Sequence, residues 1–206
     1  MSIVKLSNNG VKNATTFGSI SSLGSMVFIK KLTASSSATL SFVDGSDGVV
    51  LDGTYKEYVF TFKDIHPATD NVHFTFQGNA AGGSGYNETI TSTAFYYQHK
   101  EDGTDTELAY ESGSDQAQGT AFQRLGQSVG NDNDQCIVGS LRLFNPSSTT
   151  FVKHFIGVTN IYHTSDYSVG LRTAGYFNTT SAIDEIQFKM SSGDIDAGDI
   201  CLYGIV

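Results

Sequence analysis

The chain has no tryptophan, two prolines and two cysteines in 206 residues, and each shortage closes off a class of protein. Two prolines cannot sustain the Pro-rich linkers of disordered multidomain chains. Cys136 in "QCIVGSL" and Cys201 in "DICLYGI" are too few and too far apart for a disulfide framework or for paired zinc-ligand steps. Each sits in an apolar run and reads as a buried free thiol, with pairing left open. Basic residues are also scarce, 12 against 21 acidic, and a net charge of −9 argues against nucleic acid or an anionic membrane as a partner. No apolar run reaches membrane-spanning length, and "MSIVKLSNNG" lacks the positive start and apolar stretch of a signal peptide. That predicts a soluble chain made in the cytoplasm without membrane insertion, in which the sequons at Asn13, Asn87 and Asn178 are chance matches. Heptads and amphipathic helical stretches are missing too, and no internal repeat suggests a solenoid or propeller.

What remains is a β-rich composition. Charged residues make up only 16% and aromatics 12%, through 14 Phe and 10 Tyr, with 22 glycines for turns. Residues 1–24 are small and polar and read as an N-terminal arm; residues 25–206 form one domain, large enough to bury a core without staples.

Period-2 alternation marks the strands. "EYVFTFKDI" sets Tyr58, Phe60 and Phe62 on one face, and "NVHFTFQ" does the same through Val72, Phe74 and Phe76. "MVFIKKL", "SATLSFV", "TITSTAFYYQH", "LAYES", "CIVGSLRLF", "TFVKHFIGVTNIY", "YSVGLRTAGYF", "AIDEIQFKM" and "DICLYGI" follow the same logic, with "KEDGTDTE" as a hairpin turn. Within "FVKHFIG", His154 alternates with Val152 and Ile156 and is placed in the core. Residues 112–134 carry little periodicity, and "QAQGTAFQRLG" is read as holding a short helical turn. The unequal loops between long strands favour an all-β fold, a single jelly-roll-like antiparallel β-sandwich of undetermined strand order.

Candidate chemistry is thin. "DGSDG" (Asp44, Asp47), "DGTDTE" (Asp102, Asp105, Glu107), "NDND" (Asp132, Asp134) and "DIDAGD" (Asp194, Asp196, Asp199) offer oxygens to calcium, but none matches the twelve-residue calcium loop. Asp and Gly are also ordinary turn residues, and the turn reading is preferred. His66, His73, His99, His154 and His163 form no ligand step, and His66 is placed as a loop anchor. There is no G-x-S-x-G elbow and no phosphate loop in "NAAGGSGYN"; Asp184 and Glu185, adjacent in a strand, face opposite sides and cannot pair as glycosidase acids. Tyr96, Tyr97, Tyr110, Tyr162 and Tyr167 suit a sugar-binding or subunit surface, or the core and rim of the sandwich. The terminal "SSGDIDAGDICLYGIV" reads as a hairpin reversing at Ala197-Gly198. No catalytic, cofactor or metal residues are assigned.

The block "TAGYFNTTSAIDEIQFKMSSGDIDAGDICLYGI", residues 173–205, resembles a closing segment of virion structural proteins of tailed bacteriophages, especially those of marine bacteria and cyanobacteria. Its features are Gly175-Tyr176-Phe177-Asn178, the Ile183/Ile186/Phe188 strand, Ser192-Gly193-Asp194-Ile195, and the G-x-I-x-L-Y-G motif from Gly198 to Gly204. The resemblance extends to "SLGSMVFIKKLTASSSATLSFVDG" and "YKEYVFTFKDIHPATDNVHFTFQ" upstream. It implies a non-enzymatic β-sandwich located on the virion, a homo-oligomeric capsid decoration or tail-fibre subunit that contacts the major capsid or tail proteins. The absence of a coiled-coil shaft or a long N-terminal adaptor favours a compact capping or decorating unit, expected as a homotrimer. A lectin-like module recognising a host-surface glycan is the alternative. No cofactor and no binding residue follows from the motif.

Overall fold

The structure, a computed structural model, describes residues 25–206. The expected N-terminal arm, residues 1–24, lies outside the described residues. Strands follow one another as β1 (Met26–Ser37), β2 (Leu40–Val43), β3 (Glu57–Pro67), β4 (Val72–Ala80), β5 (Ile90–Lys100), β6 (Thr106–Tyr110) and β7 (Gln116–Gly119). Then come β8 (Gln123–Val129), β9 (Ile137–Phe144), β10 (Lys153–His163), β11 (Tyr167–Phe177), β12 (Ile183–Met190) and β13 (Ile195–Ile205). Every pairing is antiparallel.

The thirteen strands form one hydrogen-bonded sheet folded on itself into a sandwich that is nearly a barrel. Its large layer runs β6-β5-β11-β10-β9-β3-β13-β1, with the short β7 beside the start of β5. The small layer runs β8-β4-β12-β2, and a corner where Val129 of β8 meets His163 of β10 joins the two. The fold is all-β, as the alternating pattern requires.

Aromatic rings hold the layers together. Phe188 of β12 lies 5.3 and 5.4 Å from Phe60 and Phe62 of β3 across the sandwich, and within 6.3 Å of Phe42, Phe74 and Phe76. All six are buried, in the edge-on and offset arrangements that ring quadrupoles favour. Tyr58 is also fully buried, and its hydroxyl donates to the backbone oxygen of Asp52 at 2.9 Å.

Four expectations are corrected. Residues 112–134 hold no helical turn: β7 and β8 occupy the segment, and their pattern is obscured because Gln123 points inward beside Leu125. His154 is exposed with Ile156, whereas Lys153, Phe155, Gly157, Thr159 and Ile161 face the core. Both faces of β10 are partly apolar, so periodicity could not choose between them; the ladder with β9 and β11 does. The last strand is not in a hairpin with β12, because residues 191–194 carry the chain across to the other layer, where β13 inserts between β1 and β3. Ala197-Gly198 is a bulge inside β13, and only glycine fits, since φ is +117° and a Cβ would strike the Asp64 carbonyl. Finally, a bulge between Ile183 and Glu185 sends both isoleucines, Ile183 and Ile186, into the core and leaves Asp184 and Glu185 together on the outside.

Candidate functional site

Aspartates of three of the four acidic stretches act in turns and ladders, and in the fourth the Asp132 backbone forms a turn with Gln135. Asp44 accepts the Leu51 amide, Asp102 accepts the Thr104 amide, Asp199 bridges Thr33 and Lys31 beside it on β1, and Asp196 accepts Ser36. Burial of Asp184 raises its pKa, and Tyr86 donates to Glu185 at 2.7 Å. Asp64, Asp134 and Asp196 do line one cleft with His66 and Cys136. Among the described residues, however, no three His, Cys, Asp or Glu side chains are placed to hold a common metal ion. His66 anchors the 132–135 turn through a 2.6 Å hydrogen bond between Nδ1 and the Gln135 carbonyl. Cys136 and Cys201 are free and half-buried rather than fully buried, and desolvation raises the Cys136 thiol.

Two surfaces stand out. The first is the outer face of the large layer. Cross-strand register places Phe95 opposite Tyr110 and Tyr97 opposite Leu108, all exposed on one side of β5 and β6. Continuing across β11, β10 and β9, the same side carries Arg172, Ala174, Tyr176, Ile156, Val158 and Val138. None of the chain's 21 acidic residues projects from these five strands on this face. Gly170 lets the Tyr97 ring lie on the sheet, since a Cβ there would overlap the ring. Between Thr93, Ala174, Tyr176, His154 and Ile156 lies a shallow apolar hollow of about 500 Å³. Of the tyrosines singled out from sequence, Tyr97, Tyr110 and Tyr162 are on this side; Tyr96 is on the other and donates to Glu107. The row was hard to read because its inward and outward residues are both aromatic.

The second is a cleft of about 360 Å³ on the outer face of the small layer. Register aligns Lys189 of β12, Thr75 of β4 and Arg124 of β8 side by side, with His73 and Ser191 one step along. The 113–122 segment overhangs them, contributing Ser114, Asp115, Gln116 and Phe122. Beneath it is a glutamine network: Gln77 donates to the carbonyls of Glu88, Thr120 and Ala121, and Gln123 donates to that of Ser114 at 2.6 Å. Both glutamines are fully buried and bonded, as buried amides must be. They pin an otherwise irregular segment over β4, which explains why Thr75 and Gln77 are buried on the outward side of their strand. The Ser128 amide donates to His73 Nδ1 at 3.2 Å, so the ring proton resides on Nε2. Burial and then Arg124 lower the His73 pKa, which keeps the ring neutral. Sequence reading found none of this site; register between distant strands creates it.

The fold thus defines an antiparallel β-sandwich with one apolar stretch of sheet face, where β5, β6, β11, β10 and β9 project no carboxylate, and one polar cleft on the opposite layer. Compared with models of protein families, with curated proteins and with solved structures, the chain matches none.

Proposed function

We propose that the protein is a non-enzymatic structural subunit of a tailed-phage virion, associating with copies of itself through the outer face of its large layer. The observation that carries the association is the exposed apolar row Phe95, Tyr97, Leu108, Tyr110 and Ile156 on five strands that project no carboxylate on this side, in a chain with 21 acidic residues; Asp115 and Glu57 stand only at its margin, bonded to Tyr110 and Arg142. Depletion of charge with enrichment of aromatic residues is the compositional mark of an interface core. Size fits as well: four strands of up to 11 residues cover on the order of 700 Å² at the usual strand and residue spacings, near the ~800 Å² per partner of a stable complex. The virion assignment rests on the resemblance of residues 173–205 to closing segments of phage structural proteins.

Sedimentation of the purified protein should give a closed oligomer, and Ile156→Asp should shift it to monomer while the far-ultraviolet spectrum is kept. Mass spectrometry of purified particles should find the chain in fixed copy number, in the hundreds for capsid decoration and far fewer for the tail. A monomer absent from particles sinks the reading. Glycan-array binding by a monomeric wild type, abolished by Ile156→Asp, would instead assign the exposed rings to a host-surface glycan.

A further inference from the structure

We propose that the cleft on the small layer binds a sugar acid, a polyhydroxylated ligand carrying one carboxylate, with the carboxylate held between Arg124 and Lys189. This goes beyond the assembly reading and uses the opposite side of the sandwich.

The geometry supplies the cation pair. Lys189 and Arg124 flank Thr75 on successive strands, two strand spacings or ~10 Å apart at the backbone, a gap that one oxyanion spans between two long side chains. Among the described residues neither makes an ion pair. Lys189 is instead held with its ammonium 4.1 Å from the centre of the Phe122 ring, a cation–π contact that fixes it at the cleft wall. Two carboxylates stand nearby, Asp115 accepting from the Tyr110 hydroxyl at 2.6 Å and Glu111 from the Gly113 amide at 2.9 Å, and neither is within ion-pair distance of Lys189 or Arg124.

An independent observation points to a ligand. Ser114 lines the cleft and is 2% exposed, yet its Oγ has no hydrogen-bond partner. Buried polar atoms are nearly always paired, so this hydroxyl at the cleft wall is a group that a polar ligand entering the cleft would satisfy. His73, neutral with its proton on Nε2, supplies a further donor.

Ligand class follows from what lines the space. At about 360 Å³ the cleft is larger than a lone inorganic ion needs and at the lower end for small-molecule sites. Hydroxyl, amide and imidazole groups suit a body rich in hydroxyls, and two cations suit one anionic group. A polyanion is disfavoured by the net charge of −9.

The test is a titration of the full-length protein, followed by backbone-amide NMR and calorimetry, with D-glucuronate, methyl β-D-glucoside and inorganic phosphate as probes. Glucuronate should bind saturably, with Kd about 1 mM or tighter, and should shift the amides of Ser114, Gln116 and Arg124. Lys189→Met and Arg124→Gln should each weaken it about tenfold or more, a factor well within the reach of one charge-assisted contact. Ser114→Ala should weaken it less, and the neutral glucoside should bind at least about tenfold more weakly than glucuronate. The amide spectrum of each variant reports directly whether it is folded. The proposal is overturned by no saturation with glucuronate, by equal binding of the glucoside or of phosphate, or by affinity unchanged in both folded charge variants.

Discussion

Replacing Tyr58 by phenylalanine removes one oxygen from the most buried tyrosine and tests two consequences of its environment at once. Near neutral pH the loss is a single hydrogen bond to the Asp52 carbonyl. Asp52 is itself exposed, so water can take over the acceptor and the cost should be about 1 kcal/mol. At high pH a second effect appears, because burial pushes the Tyr58 hydroxyl from its ordinary value of 10.0 to about 12. The folded state therefore holds this proton more tightly than the unfolded chain. That stabilisation is fully present below pH 10 and is lost as pH rises towards 12, amounting to about 2.7 kcal/mol at 1.36 kcal/mol per pH unit. Tyr96 and Tyr162 are also raised to about 12, by the Glu107 and Glu101 carboxylates that they hydrogen-bond. They contribute to the alkaline limb in both proteins and cancel in the comparison. Urea unfolding at pH 7 and at intervals from pH 9.5 to 12 should show Tyr58→Phe less stable by about 1 kcal/mol at neutrality, and the gap should reverse sign near the top of the range. Parallel stability curves for the two proteins from pH 10 to 12 would refute the assignment of this burial cost to Tyr58.

Other perturbations probe the core. Phe188→Ala removes the ring that contacts both layers and should cost about 3–5 kcal/mol in urea unfolding, whereas Phe151→Ala, at a side chain 69% exposed, should stay within about 0.5 kcal/mol of wild type. Lys153 is fully buried, with its ammonium donating to the Phe151 and Thr179 carbonyls at 2.9 and 3.2 Å and no carboxylate bound to it. Burial lowers its pKa below the ordinary 10.5, so the charge penalises folding at neutral pH and the penalty lifts as pH rises through the folded value towards 10.5. Stability measured against pH should lose this upward component in Lys153→Met; an unchanged profile would show that the lysine is not desolvated.

How much of this the sequence showed depends on whether the two faces of a strand differ. β3 and β4 set phenylalanines against Thr, Lys and Gln, and their core residues are plain from alternation. β10 is different. Its inward face mixes Phe155 and Ile161 with Gly157, Thr159 and a buried lysine, while its outward face mixes Ile156 and Val158 with His154 and Asn160, so hydrophobicity does not choose between them. The bulges at Asp184 and Gly198 shift the period by one residue, which reverses any reading carried through them. The cleft was invisible for another reason. Lys189 and Arg124 are 65 positions apart in the sequence, and only their common neighbour Thr75 on β4 brings them together. Composition and local pattern carry fold class; cross-strand neighbours come from long-range pairing.

The two surfaces have a common electrostatic logic. With 21 acidic and 12 basic residues, two copies repel at most relative orientations, and the repulsion would be weakest where the strands that project no carboxylate outward, β5, β6, β11, β10 and β9, come together. In the proposed association, acidic residues elsewhere would act against wrong contacts and leave the apolar rows of β5, β6 and β10 as the favoured approach, while Lys30 and Lys31 and a bulge at Ile29 blunt the side of β1 that no strand among the described residues pairs. Lys189 and Arg124 project from the other layer, behind the phenylalanine core. Docking through the large layer would consequently leave the cleft open to solution, so that each subunit of an assembly could present its own cation pair outward.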